Sequence, residues 1–268
     1  SNADGIARPA KMKIGSTAVE YLQDGWIDPK WEIESISISQ DYRWMAVTYN
    51  ENGYYRLKLR EIESAQELPS PPLSGSISSV GFDRTGSIVF KFDGPTRTGD
   101  VWRWNPAEKQ LTQLTFSSYA GIDQRQFVEP ELVTYRSSDS LDIPAFQYLP
   151  KTYVKGTPIP FVVIAHGGPE GQSRPTFSRW IQCLLHNGYG VMAPNVRGST
   201  GYGRAFEEMD NYKNRKKSLM DYKAAIEYLI ATGLTKPGMI GIDGGSYGGY
   251  VVYGMITEYP DLLSAAMS

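Results

Sequence analysis

The chain has 268 residues, 41% hydrophobic and 21% charged, a globular balance that excludes an intrinsically disordered chain. A net charge of −2 gives no electrostatic footprint for nucleic acid or an anionic membrane surface, and no apolar run nears the roughly 20 residues that span a bilayer. Cys183 is the only cysteine, so no disulfide can form within the chain; this leans toward a reducing compartment such as the cytoplasm, although exported proteins can also lack disulfides. The leading Ser1-Asn2-Ala3 reads as the scar of tag cleavage and is set aside, so the native N-terminus is not visible in the sequence.

Residues 31–114 read as short strands and turns. Ile36 and Ile38, then Trp44 and Ala46, alternate with polar residues, which predicts half-buried strands. Asn50-Glu51-Asn52-Gly53 is a hairpin signal, and Tyr55, Leu57 and Leu59 alternate on the returning strand. The pattern recurs: Val80 and Phe82, the turn Asp83-Arg84-Thr85-Gly86, then Ile88, Phe90 and Phe92, the turn Asp93-Gly94-Pro95, and Val101-Trp102-Arg103-Trp104, where the tryptophans read as packing residues. Aligning Asp41 with Asp83 and Val47 with Val89 gives a period of 42 residues, typical of a four-stranded propeller blade. Only two blades fit, and the repeat alone leaves a small antiparallel sheet or sandwich open.

After Tyr119 the rhythm changes. Two stretches around Val133 and Ala145 predict a strand pair, and the apolar runs 161–165, 190–193 and 239–242 suit strands buried on both faces. Phe177, Trp180, Ile181, Leu184 and Leu185 follow the spacing of a buried helix face, closed by Gly188. Ser218-Leu219-Met220-Asp221 resembles a capping box opening a second helix, while the preceding Lys213, Arg215, Lys216 and Lys217 read as a solvated basic loop. A linker is expected within 117–126, dividing the chain into an all-β segment, 4–122, and an α/β segment, 123–268, built on a mostly parallel sheet with flanking helices.

Three segments carry chemistry. Gly244-Gly245-Ser246-Tyr247-Gly248-Gly249 satisfies G-x-S-x-G between a buried strand and a helix expected over 250–257, the context of a nucleophile elbow. His166-Gly167-Gly168-Pro169 directly follows a strand, where an α/β-hydrolase places an oxyanion-hole loop; the donor amides would be those of Gly168 and Tyr247. Asn195-Val196-Arg197-Gly198-Ser199-Thr200-Gly201-Tyr202-Gly203 follows another strand, and Arg197 reads as a brace for this glycine-rich loop in preference to a substrate ligand.

Together the segments H-G-G-P, N-x-R-G-S-T-G-Y-G and G-G-S-Y-G-G-Y resemble the prolyl oligopeptidase family of serine peptidases, in particular its acylaminoacyl-peptidase-like branch. The resemblance is firm over 137–268 and looser before it. It implies a partial α/β-hydrolase preceded by partial β-propeller blades, cleavage of short peptides, and a propeller that restricts access. By the motif, Ser246 is carried over as nucleophile, and Tyr247 and Gly168 as oxyanion donors.

The sequence departs from that family at the base. Only 22 residues follow Ser246, with Glu258 and Asp261 but no histidine, whereas such triads run Ser, then Asp or Glu, then His. His166 belongs to the oxyanion loop and His186 to a helix end, so neither reads as the base. The chain is expected to be a C-terminally truncated fragment, inactive alone, whose open sheet edge a second copy or a complementing chain could cover. A carboxylesterase and a non-catalytic interaction module on a hydrolase scaffold are the competing functions. No cofactor, no metal ligand set and no nucleic-acid or membrane partner is expected; the partner is an oligopeptide substrate.

Overall fold

A computed structural model of the protein describes residues 5–22 and 25–268, so Ser1-Asn2-Ala3 lies outside the described residues. The chain divides into two units, Ser1–Gly121 and Ile122–Ser268.

The first unit is all β. Strands β1 (Ala10–Met12) and β2 (Val19–Tyr21) form a small ribbon. Strands β3 (Glu32–Ile38), β4 (Trp44–Glu51), β5 (Tyr54–Glu61) and β6 (Glu67–Leu68) make an antiparallel meander. Strands β7 (Ser76–Phe82), β8 (Ile88–Gly94), β9 (Arg97–Asn105) and β10 (Gln110–Gln113) repeat it. Each meander has the four-stranded form of a propeller blade. The repeat extends to its turns: Asp41 Oδ1 accepts from the Arg43 amide at 3.1 Å and Asp83 Oδ1 from the Thr85 amide at 2.8 Å. The β4–β5 hairpin places Asn52 and Gly53 at φ 51 and 85, the left-handed pair that suits the strand twist.

Alternation gives this unit its core. Leu57 and Leu59 from the first meander join Ile88, Phe90, Phe92, Trp102 and Trp104 from the second in one cluster. Burying each such side chain stabilises the fold by about 1.5–3 kcal/mol. The Trp104 indole keeps its N–H satisfied by donating to the Pro69 carbonyl at 2.8 Å. Ile36 and Ile38 correct the expectation of half burial. They lie on the outermost strand of their meander, outside the shared core, and stay 44% and 50% exposed.

The second unit is a six-stranded sheet with helices. Its strands are β11 (Glu131–Arg136), β12 (Asp142–Tyr148), β13 (Phe161–Ala165), β14 (Gly190–Pro194), β15 (Ile240–Gly244) and β16 (Ala265–Met267), ordered β11-β12-β14-β13-β15-β16. The first two strands pair antiparallel with their neighbours, and β14, β13, β15 and β16 run parallel. The helices are α1 (Arg179–His186), α2 (Arg204–Glu207), α3 (Lys217–Ala231) and α4 (Tyr247–Glu258). Leu219, Ile226 and Leu229 of α3 and Val251, Val252 and Met255 of α4 share one core with Phe161, Val163, Ile240 and Ile242 of the central strands.

Two helix expectations are corrected. Trp180 leaves the buried stripe of α1, remaining 44% exposed with its indole N–H on Asp243 Oδ2 at 2.8 Å, and Gln182 takes a buried place by clamping the Val128 backbone. No capping box opens α3: Lys216 holds the cap position without a side-chain bond. Asp221 instead faces the buried Arg197.

Candidate active site

Strand β15 hands over to α4 within two residues. Ser246 sits in that turn at φ 56 and ψ −121, a region that residues with a Cβ rarely occupy, and it is exposed. It holds the N-cap position of α4, yet its hydroxyl caps nothing. The first amides of α4 have no intrahelical acceptor, as at any helix start, and form the positive end of the helix dipole beside Ser246. The flanking glycines are needed for approach. A Cβ on Gly248 would lie 2.2 Å from the Ala165 carbonyl oxygen, and one on Gly244 would lie 2.7 Å from that of Gly248. Gly245 is under no such constraint, with nothing within 4 Å of a Cβ.

The His166-Gly167-Gly168-Pro169 loop leaves the adjacent strand β13 and lies against this turn. A Cβ built on Gly167 falls 3.7 Å from Ser246 Cβ and from the Gly245 carbonyl oxygen. Gly168 adopts φ 131, and a side chain there would press to 2.8 Å on the Glu170 and Gly171 nitrogens, so only glycine fits. His166 folds the loop on itself: Nδ1 lies 2.8 Å from the Gly167 carbonyl and Nε2 2.9 Å from Ser199 Oγ. Burial lowers the His166 pKa below its ordinary 6.5, so the ring is neutral and carries one N–H. The Gly167 carbonyl can only accept, which assigns that proton to Nδ1. Both ring nitrogens are thus engaged away from Ser246. His186 lies exposed in the last turn of α1.

The third segment braces the second. The Thr200 amide donates to the Gly171 carbonyl at 2.9 Å, and Ser199 Oγ lies 2.6 Å from the Val196 carbonyl and 2.9 Å from His166 Nε2, two acceptors that share its single hydrogen. Beneath it, Arg197 is 4% exposed and holds two carboxylates. Its Nε and Nη2 donate to Asp221 at 2.9 and 2.8 Å, and its Nη1 and Nη2 donate to Asp139, both at 2.8 Å. Burial acts to lower the Arg197 pKa, but Asp139 and Asp221 outweigh it and keep the guanidinium charged. The same bonds hold Asp139 down at about 2. Arg197 is therefore committed to structure.

Asp210 escaped the sequence reading, and with it the cluster that it forms with Tyr247, Ser218 and Arg215. The Tyr247 hydroxyl donates to Asp210 Oδ2 at 3.0 Å and meets Ser218 Oγ at 2.9 Å. Arg215 donates to the same Asp210 oxygen at 3.1 Å and lies 5.2 Å over the Tyr247 ring. Arg215 thus leaves the solvated basic run to serve this cluster, while Lys213, Lys216 and Lys217 stay exposed, Lys216 paired with Glu258. Burial raises the Asp210 pKa and, with Asp210 beside it, pushes the Tyr247 phenol up to about 12. Among the described residues no group of three or more His, Cys, Asp or Glu side chains could hold a metal ion.

Residues 175–268 match the profile of the prolyl oligopeptidase family, and the Elizabethkingia meningoseptica prolyl endopeptidase is 32% identical across 96% of the chain. The chain belongs to the prolyl oligopeptidase family. A dipeptidyl aminopeptidase BIII of Pseudoxanthomonas mexicana is 25% identical over 98% of the chain. The chain spans 37% and 35% of the lengths of these two relatives. A puromycin-hydrolyzing peptidase of Mycobacterium tuberculosis superposes with a TM-score of 0.85 at 22% identity, over 99% of this chain and 42% of that one. The acylaminoacyl peptidase of Pyrococcus horikoshii gives 0.75 at 25% identity, over 94% and 39%. These likenesses fix the architecture of this prolyl oligopeptidase relative as blade-like sheets followed by an α/β-hydrolase sheet. Within that sheet, β13 and β15 bring the glycine loop and the exposed Ser246 together beside the start of α4.

Proposed function

We propose that the chain carries the nucleophile part of a serine-type peptidase that hydrolyses short peptides through an acyl-enzyme on Ser246. The observation that supports this most is the exposed, strained Ser246 at the β15–α4 turn with the Gly167-Gly168 loop packed against it. In the step envisaged, Ser246 Oγ adds to the scissile carbonyl carbon and loses its proton to a base. The carbonyl oxygen gains the negative charge and is met by the amides of Tyr247 and Gly168. Collapse then expels the amine, which takes up the proton, and leaves the ester on Ser246.

The base is the missing part. His166 is turned to Gly167 and Ser199, and His186 sits at the end of α1. Loss of the histidine from a serine triad costs on the order of 10⁶ in kcat, and an oxyanion hole with binding alone retains roughly 10³–10⁴ over water. The chain by itself is therefore expected to turn over little substrate. The test is hydrolysis of a p-nitrophenyl ester and an aminoacyl-naphthylamide by the chain and by Ser246→Ala. Weak turnover lost in the variant supports the reading. Turnover that survives Ser246→Ala overturns the nucleophile, and ordinary peptidase rates that depend on Ser246 overturn the missing base.

A further inference from the structure

We propose that Asp210 is a positioning residue that fixes the amide of Tyr247 by gripping the phenol of the same residue. The proposal rests on the reading of Tyr247 as an oxyanion donor and deepens it. The starting observation is a carboxylate with no exposed surface in the short turn after α2, joining two segments of the site. On one side, its Oδ2 accepts the Tyr247 hydroxyl and the Arg215 guanidinium. On the other, it is pressed against the glycine-rich loop: a Cβ on Gly198 would fall 2.5 Å from the Asp210 carboxyl, so that loop can pass only because position 198 has no side chain.

Tyr247 needs such an anchor. It is the first residue of α4, directly after the strained Ser246, and Ser246 supplies no side-chain cap to hold the turn. An amide at a helix start has no intrahelical acceptor to define its direction. The side chain is then the remaining handle on this residue. It is held by three groups: Asp210, Ser218 from the start of α3, and Arg215 over the ring face. The Asp210 contact is the charge-assisted one, about twice as strong as a neutral hydrogen bond. Other charges near the cluster are Glu170, which acts on Asp210 and Arg215, and His166, which Asp210 reaches electrostatically.

The experiment is a double-mutant cycle read on the backbone amide cross-peak of Tyr247 in ¹⁵N-resolved NMR of the whole chain, with Asp210→Ala, Asp210→Asn, Tyr247→Phe and the Asp210→Ala/Tyr247→Phe pair. Asp210→Ala is expected to displace the cross-peak of residue 247. Asp210→Asn, which keeps an oxygen for the phenol, is expected to restore most of its position. In the Tyr247→Phe background the displacement caused by Asp210→Ala is expected to vanish, because the phenol that carries it is gone. A cross-peak unmoved by Asp210→Ala, or moved equally in the phenylalanine background, overturns the proposal. Should Asp210→Ala fail to fold, Asp210→Asn against Tyr247→Phe closes a cycle of the same kind: its small displacement must disappear without the phenol. Failure of Ser246 to act as nucleophile would appear in the hydrolysis assay and leave these shifts as they are, so the two readings fall separately.

Discussion

Arg197 and Asp221 are joined by two charge-assisted hydrogen bonds of 2.9 and 2.8 Å at a place where Asp221 has no exposed surface. Asp221 Oδ2 also accepts the Arg197 amide at 3.1 Å, and Oδ1 accepts the Ser137 hydroxyl at 2.6 Å. One carboxylate thus ties α3, the end of β11 and the glycine-rich loop. Removing it leaves a guanidinium that is 4% exposed with the half-exposed Asp139 as its remaining carboxylate. Asp221→Ala is expected to lower stability by about 3–5 kcal/mol, measured by urea unfolding. Asp139→Ala should cost about 1 kcal/mol or less, because the Asp139 side chain is 44% exposed and Arg197 keeps Asp221. Equal losses for the two variants would refute the clamp.

Asp139 also makes a prediction in pH. Its folded pKa of about 2 lies below the ordinary 3.8, so the folded state holds the ionised form more firmly than the unfolded chain does. Its contribution is complete above pH 4 and is lost as pH falls through the folded value. The difference in stability between the wild type and Asp139→Asn should therefore shrink between pH 5 and pH 2. A difference that stays constant over that range would show that the ion pair is not formed in solution.

His166 acts in the same direction at a higher pH. Its folded pKa is lowered by burial, so between that value and 6.5 the unfolded chain binds more protons than the folded one. Stability from this group is complete above 6.5 and declines as pH falls below it. In an NMR titration the His166 ring should show its midpoint below 6.5. The melting temperature should fall less on acidification in His166→Gln than in the wild type. A midpoint at 6.5 would mean that the ring is solvated, and the loop with it.

What was legible in the sequence is what short-range chemistry dictates. Ser246, Gly244 and Gly248 announced a turn between strand and helix because such a turn admits few other residues within a span of five. His166 and Gly168 followed a strand directly, and Arg197 read as a brace because the glycines around it need one. Asp210, Arg215, Ser199 and Asp221 were not legible. The Asp210–Tyr247 bond closes across 37 residues and the Arg197–Asp139 bond across 58, so sheet order and not local pattern brings them together. In the all-β unit, alternation set Leu57 and Leu59 apart from their polar neighbours, but it could not say which strand would be outermost, and Ile36 and Ile38 stayed exposed for that reason.

The elbow glycines separate by a clean contrast. Gly245→Ala meets open space and is expected to change stability by about 0.5 kcal/mol or less. Gly248→Ala puts a methyl carbon 2.2 Å from the Ala165 carbonyl oxygen, part of the central strand β13, which cannot retreat without breaking its pairing with β14 and β15. A loss of about 3 kcal/mol or failure to fold is expected. If both alanines were tolerated alike, β13 and the start of α4 would be farther apart than the structure has them.

Ser246 sets function against stability at one residue. A side chain held at φ 56 and ψ −121 costs about 1–3 kcal/mol, and glycine reaches that region without the penalty. Glycine also loses more chain entropy on folding, about 0.5–1 kcal/mol. Ser246→Gly is therefore expected to stabilise the fold by about 0.5–2 kcal/mol, while Ser246→Ala, which keeps the Cβ and the strain, should leave it within about 0.5 kcal/mol. Both variants lose the hydroxyl, so any residual hydrolysis should vanish in each. The urea midpoints of the two decide the matter. A glycine variant no more stable than the alanine one would show that the turn is relaxed, and the hydroxyl would then owe its exposure to something other than a strained backbone.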